Sequence, residues 1–288
     1  MTTDQEDGSS PLEPVPMQAV PPPERRTRAG RNLPAAIGVG LALGAVVLLS
    51  LYLWKPAFVG VVVAAIVLAA WELTNAFGSG RIRVPVVPLA VGAAAIIVSA
   101  YAGGSEAMVV ALALTVFAMM LWRSPENPKG YVRDVTAATF AALYLPFLAG
   151  FAVLLLRPDD GPNRVVVFIV LTVLSDVGGY VAGVLFGKHP MAPTVSPKKS
   201  WEGFAGSAVA CVLIGVFVVA ELFDLPLWQG AAYGGAVVVA ATVGDLGESM
   251  IKRDLGIKDM GTLLPGHGGL MDRLDSLVLV DPIAWAPA

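Results

Sequence analysis

The chain has 288 residues, of which 56% are hydrophobic and only 14% charged, with a formal net charge of −3. A soluble domain carries about 25% charged residues, so the composition excludes a soluble globular enzyme and places most of the chain in a membrane. It excludes nucleic-acid binding as well, because the 19 lysines and arginines sit at the edges of apolar runs rather than along one polar face.

Residues 1–31 come first, with six prolines, an acidic start and then Arg25, Arg26, Arg28 and Arg31. This composition predicts a disordered cytoplasmic tail. It has no apolar core followed by a small-residue cleavage site, so the first helix is expected to remain as an anchor.

Apolar runs of about 20 residues, enough to cross a hydrocarbon layer about 30 Å thick, then recur along the chain. They predict spans near residues 35–54, 56–77, 84–102, 106–122, 134–156, 164–187, 203–223 and 229–251, with a last, short one from about 272 onward. The expected architecture is an all-α polytopic membrane protein of about nine transmembrane helices. It divides into the tail, N-terminal transmembrane helices over 32–160, and a C-terminal transmembrane region over 161–288 with a polar cytoplasmic loop.

With nine spans, 16 of the 19 basic residues fall on the side of the tail and only Lys55, Arg157 and Arg164 on the other. The positive-inside rule makes the tail's side cytoplasmic. Cys211 is the one cysteine, lies within an apolar span and reads as a buried structural thiol. Glu72, near the cytoplasmic end of the second span, has no role assigned by the sequence; snorkelling to water and pairing with Arg81 or Arg83 are both open to it.

The sixth span is interrupted by Ser175-Asp176, and a carboxylate that deep is a functional candidate. Gly178, Gly179, Gly183 and Gly187 follow and are expected to allow close helix packing. The connector after it runs from Gly187-Lys188-His189 to Ser196-Pro197-Lys198-Lys199-Ser200-Trp201-Glu202-Gly203. Its lysines suit either an anionic ligand or the charge bias of a cytoplasmic connector.

Polar chemistry concentrates near the C-terminus. Asp245, Glu248, Ser249 and Lys252 fall at i, i+3, i+4 and i+7 and share one stripe of the eighth span. Charged groups at a helix end often only reach water, but Asp245 lies deeper than a rim position. Beyond the helix come Arg253, Lys258-Asp259 and the turn Pro265-Gly266-His267-Gly268-Gly269, whose glycines allow backbone to approach a ligand closely. Asp272 and Asp275 share the face of the next helix and, with Asp245, offer Mg²⁺ the few carboxylates it prefers.

The run Ser249-x-x-Lys252-Arg253, Lys258-Asp259, Pro265-Gly266-His267-Gly268-Gly269 and Asp272-Arg273-x-Asp275 resembles the signature of the CTP:phosphatidate cytidylyltransferases, or CDP-diglyceride synthases. Ser175-Asp176 and the Gly187–Gly203 connector also look like that family, with Ser200 where it often has Thr. The resemblance is specific over residues 170–276 and general, as apolar spans, before that. It implies an integral enzyme of a bacterial inner membrane, a setting the Ala, Val and Gly bias also fits, that joins phosphatidate to CTP and releases pyrophosphate with CDP-diacylglycerol. Its partners would be CTP, phosphatidate, membrane lipid and a second copy in a homodimer.

The same resemblance implies roles. Asp245 and Asp272 would hold Mg²⁺, with Asp275 and Glu248 as further ligands or orienting groups and with room for a second or monovalent cation. Lys252, Arg253 and Lys258 would neutralise the triphosphate, with Asp259 and Arg273 in the same catalytic group. Ser249 and the backbone at Gly266, Gly268 and Gly269 would bind substrate, with His267 donating to phosphate. Lys198 and Lys199 would take the phosphatidate headgroup, and Asp176 would line the cavity. The competing expectations are a CTP-dependent polyprenol or lipid kinase, and an ion or phosphate transporter, against which the lack of an internal repeat counts.

Overall fold

No water competes for backbone N–H and C=O groups in hydrocarbon, so a chain of this composition closes its hydrogen bonds within helices. The computed structural model describes residues 33–261 and 269–285. Among these it forms eight helices: α1 (Leu33–Leu53), α2 (Lys55–Ser79), α3 (Val86–Arg123), α4 (Tyr131–Leu156), α5 (Gly161–Phe186), α6 (Trp201–Leu222), α7 (Leu227–Asp254) and α8 (Met271–Trp285). Six of them, α2 to α7, are long and apolar enough to cross a membrane, while α1 contributes a shorter apolar stretch, Gly40–Leu53. Large apolar side chains such as Val91, Leu114, Phe117, Val173 and Val184 face outward along these helices, as lipid contact requires.

Two of the expected spans prove to be one hydrogen-bonded run, α3, broken at Gly104, where φ is 79° and ψ −163°. In a straight helix Gly92 and Thr115 would stand about 35 Å apart. Instead a Cβ on Gly92 would fall on the Thr115 side chain, so the two halves of α3 lie against each other. Gly104 is required twice over, by its left-handed φ and by the Arg157 guanidinium above it.

Basic residues separate by end. Lys55 donates to the carbonyl of Pro158 at 2.5 Å, Arg157 covers Gly104, and Arg164 lies 5.6 Å from the Phe223 ring, so these three share one end. At the other end the α2–α3 connector touches Leu255, just past α7, where a Cβ on Gly80 would stand 2.8 Å from the leucine.

Small residues set the packing around the site. Gly178 and Gly179 of α5 face Gly206 and Ser207 of α6, and Ser207 Oγ donates to the Ser175 carbonyl at 2.5 Å. Cys211 is buried and donates to the Leu171 carbonyl, consistent with a structural thiol. Gly244 of α7 lies against the backbone of Asp275, which lets α8 sink between α7 and α4, where Trp285 meets Phe151. One element escapes the all-helix expectation: a short antiparallel hairpin, β1 (Pro190–Ala192) and β2 (Ser196–Ser200), stands between α5 and α6 and pairs Pro190 with Ser200.

Candidate active site

Five elements converge at the end opposite Lys55 and Arg157: the end of α5, the hairpin, the start of α6, the end of α7 and the start of α8. They enclose a cavity of about 390 Å³ lined by Asp176, Lys198, Lys199, Asp245, Asp272, Arg273 and Asp275, among others. A larger cavity, about 950 Å³, opens at the other end, but its lining is mainly apolar and contains none of the signature residues.

Local sequence builds the entrance. Ser200 caps α6 by accepting the Gly203 N–H at 3.1 Å, which satisfies one of the free donors of the first turn. Glu202 accepts the N–H groups of Lys188 and His189 and meets His189 Nδ1 at 2.6 Å, so the connector folds back on the helix it leads into. This places Lys199 within 2.5 Å of Asp245 on α7. Arg253 donates to the Val195 carbonyl at 3.2 Å and ties the end of α7 to the hairpin turn.

The stripe on α7 forms as the helical spacing predicts. Lys252 Nζ lies 2.7 Å from Glu248 and 2.9 Å from Asp272, joining α7 to α8. Glu248 is buried at 1% exposure, with Oε1 unpartnered among the described residues. Ser249 Oγ is 3.5 Å from Asp245. Asp272 also accepts the N–H groups of Gly269 at 2.9 Å and Met260 at 3.2 Å, so a cation and two backbone donors hold its carboxylate.

Glu72 is the residue that sequence reasoning leaves without a role, and neither snorkelling nor pairing with Arg81 or Arg83 occurs. It is 1% exposed and accepts the Met271 N–H at 2.9 Å, satisfying a free donor at the start of α8. Its carboxylate occupies the space a Cβ on Gly261 or Gly269 would need, so it sits against both glycines. The available signal was the expense of a carboxylate inside a span.

Of the predicted site residues, the cavity gathers Asp176, Lys198, Lys199, Asp245, Asp272, Arg273 and Asp275, with Glu248, Ser249 and Lys252 alongside. Lys258 and Asp259 are exposed and outside its lining, and Gly269 serves Asp272 through its N–H. Gly266, His267 and Gly268 lie outside the described residues.

Among the described residues, no three of His, Cys, Asp and Glu are arranged to hold one metal ion. Mg²⁺ does not need such a cage; it binds through one or two carboxylates, water and substrate phosphate oxygens. The all-oxygen acidic set of the cavity, with one Glu248 oxygen unpartnered, fits that mode.

The profile of the cytidylyltransferase family matches residues 34–287. A protein of Mycobacterium bovis described as phosphatidate cytidylyltransferase is 39% identical over 99% of this chain and 98% of its own length. One of the same description from Mycobacterium leprae is 41% identical over 90% of this chain and 88% of its own. A third, from Pseudomonas aeruginosa, is 33% identical over 88% and 94%.

Proposed function

The chain belongs to the cytidylyltransferase family, and we propose, from that membership and the cavity, how it makes CDP-diacylglycerol from CTP and phosphatidate. A phosphatidate oxygen attacks the α-phosphorus of CTP in line. The new P–O bond forms as the α–β phosphoanhydride breaks, and pyrophosphate leaves. The second pKa of a phosphate monoester is about 6, so the nucleophile is already ionised at neutral pH and needs no base. The residues therefore act by positioning and charge neutralisation.

The observation that carries this reading is the alternation of charge around one cavity: Lys199 against Asp245, and Lys252 between Glu248 and Asp272. An entering triphosphate would exchange partners with such pairs: its oxygens would take the lysines, and the carboxylates so released would be the groups to hold a divalent cation. Asp245 and Asp272 would hold Mg²⁺, supported by Asp275 and Glu248. The ion would supply Lewis-acid charge neutralisation on the phosphate oxygens.

Lys198 and Lys199, at the mouth of the cavity, orient the phosphatidate phosphate while its acyl chains stay in lipid. Arg273 and Lys252 face the triphosphate from within, and exposed Lys258, with Asp259, meets it on entry. Arg253 holds the hairpin that presents the two headgroup lysines. Ser249 and the backbone of Gly266, Gly268 and Gly269 line the nucleotide's path, and His267 donates to phosphate. The end bearing this cavity faces the cytoplasm of a bacterial inner membrane, as its basic residues favour. Counting α3 as two passes and α1 and α8 as one each gives nine, and the enzyme works as a homodimer.

The test is a product assay on detergent-purified protein with radiolabelled CTP, phosphatidate and Mg²⁺, with and without chelator. The expected products are CDP-diacylglycerol and pyrophosphate in equal amounts. CDP formed only when a polyprenol replaces phosphatidate would turn the reading to a kinase.

A further inference from the structure

A second polar pocket opens at the same end of the molecule, on the N-terminal helices. It has a volume of about 500 Å³ and is lined by Arg81, Arg83, Arg123, Lys129 and Arg133, with Asp134 beneath. None of these residues belongs to the signature or lines the catalytic cavity.

The pocket has a built frame. Asp134 is 1% exposed, accepts two bonds from Arg123, itself 3% exposed, and also takes the Arg83 N–H at 3.2 Å. One buried carboxylate thus joins the α2–α3 connector, the end of α3 and the start of α4. Arg133 adds a 2.6 Å bond to the Arg81 carbonyl and fixes Arg81 at φ 59°, a left-handed conformation that arginine rarely adopts.

The frame leaves cations to spare. Among the described residues, the five basic side chains of the pocket stand against one carboxylate in its lining, Asp134, and the neighbouring Glu126; only Arg83, Arg123 and Arg133 pair with these, and the Arg83–Glu126 pair is loose at 3.7 Å with Arg83 73% exposed. Orientation by the positive-inside rule needs only charge somewhere in the connector, not a pocket around a buried ion pair. Guanidinium forks match phosphate oxygens. Trp122 and Val132 are exposed beside the pocket, which sets it at headgroup level, and its volume suits a headgroup but not acyl chains.

We propose that this pocket binds the phosphate of an anionic membrane phospholipid, at a site separate from the catalytic cavity. Arg81, Arg83 and Lys129 make the contacts, while Arg123 and Asp134 hold the frame.

The test uses the full chain in neutral phosphatidylcholine micelles, titrated with fluorescent phosphatidylglycerol. The triple variant R81Q/R83Q/K129Q leaves the buried pair intact. A juxtamembrane cation contributes about fivefold to anionic lipid binding, so the three together should weaken it on the order of a hundredfold, with turnover at saturating substrate unchanged. Lys199→Gln, in the catalytic cavity, should leave phosphatidylglycerol binding as it is. If the triple variant is unstable, Arg83→Gln alone should show the fivefold step. Equal binding by wild type and the triple variant would overturn the proposal. So would loss of binding in Lys199→Gln, which would put the lipid in the catalytic cavity, or displacement by inorganic phosphate at concentrations matching the lipid, which would make the ligand a soluble anion.

Discussion

Glu72 on α2 accepts the backbone N–H of Met271 on α8 at 2.9 Å, across 199 positions of sequence. The N-terminal helices therefore do more than anchor the catalytic half. They seat the helix that carries Asp272, Arg273 and Asp275. A buried donor left without its partner costs about 1–3 kcal/mol, so Glu72→Ala should lower kcat by about 5- to 100-fold as the start of α8 drifts. Glu72→Gln keeps an acceptor oxygen at the same place and should retain most of the rate. Steady-state kcat and KM for both substrates decide this; an alanine variant with the wild-type kcat would show that α8 is seated by other means.

Lys252 and Lys258 both belong to the signature, but the structure separates them. Lys252 is largely buried between Glu248 and Asp272, whereas Lys258 is exposed. Removing the cation from a buried pair costs about 3–5 kcal/mol, so Lys252→Met should lose both stability and turnover. Lys252→Arg, which keeps the charge but not the shape, should fold and still turn over at least tenfold more slowly. Lys258→Gln should raise the KM for CTP with little change in kcat. Equal kcat losses in the Lys252→Arg and Lys258→Gln variants would contradict the placement of the two lysines.

Much of this arrangement is legible in the sequence because it depends on local period and length. Apolar runs mark the spans, and the spacing of Asp245, Glu248 and Lys252 puts them on one stripe whatever surrounds the helix. The pairing of Gly92 with Thr115 in α3 follows from an interruption that falls between two predicted spans. Long-range partners are not legible. Nothing near Glu72 announces Met271, and nothing near Arg253 announces its bond to the hairpin turn. That hairpin has strands of three and five residues, too short for a periodic signal, and is held by Glu202 and Arg253 rather than by its own sequence preference.

The acidic cavity predicts how the enzyme responds to metal removal. Chelation should abolish turnover, and Mg²⁺ should restore it. Asp245→Asn removes one carboxylate and releases Lys199, so it should raise the Mg²⁺ concentration for half-maximal rate by about tenfold or more, in line with losses typical of altered metal sites. A Mg²⁺ titration of purified wild type and variant reads both effects. Activity that survives exhaustive chelation would remove the metal from the scheme.

Gly104 offers the converse case, a residue that matters for folding and not for chemistry. It turns α3 at the end opposite the catalytic cavity, with φ 79° and the Arg157 guanidinium where a side chain would go. An L-residue at this φ and ψ, a combination that essentially only glycine adopts, costs about 1–3 kcal/mol, and the Arg157 contact adds to that. Gly104→Ala should therefore lower the thermal midpoint and the yield of folded protein. The kcat of the fraction that does fold should stay at the wild-type value, because Glu72, on α2, still reaches Met271. Thermal unfolding in detergent beside active-site-normalised kcat separates the two effects. A variant as stable as wild type would mean that α3 does not need its turn at Gly104, whereas a folded variant with depressed kcat would mean that the outer turn of α3 is coupled to the cavity across the full depth of the bundle.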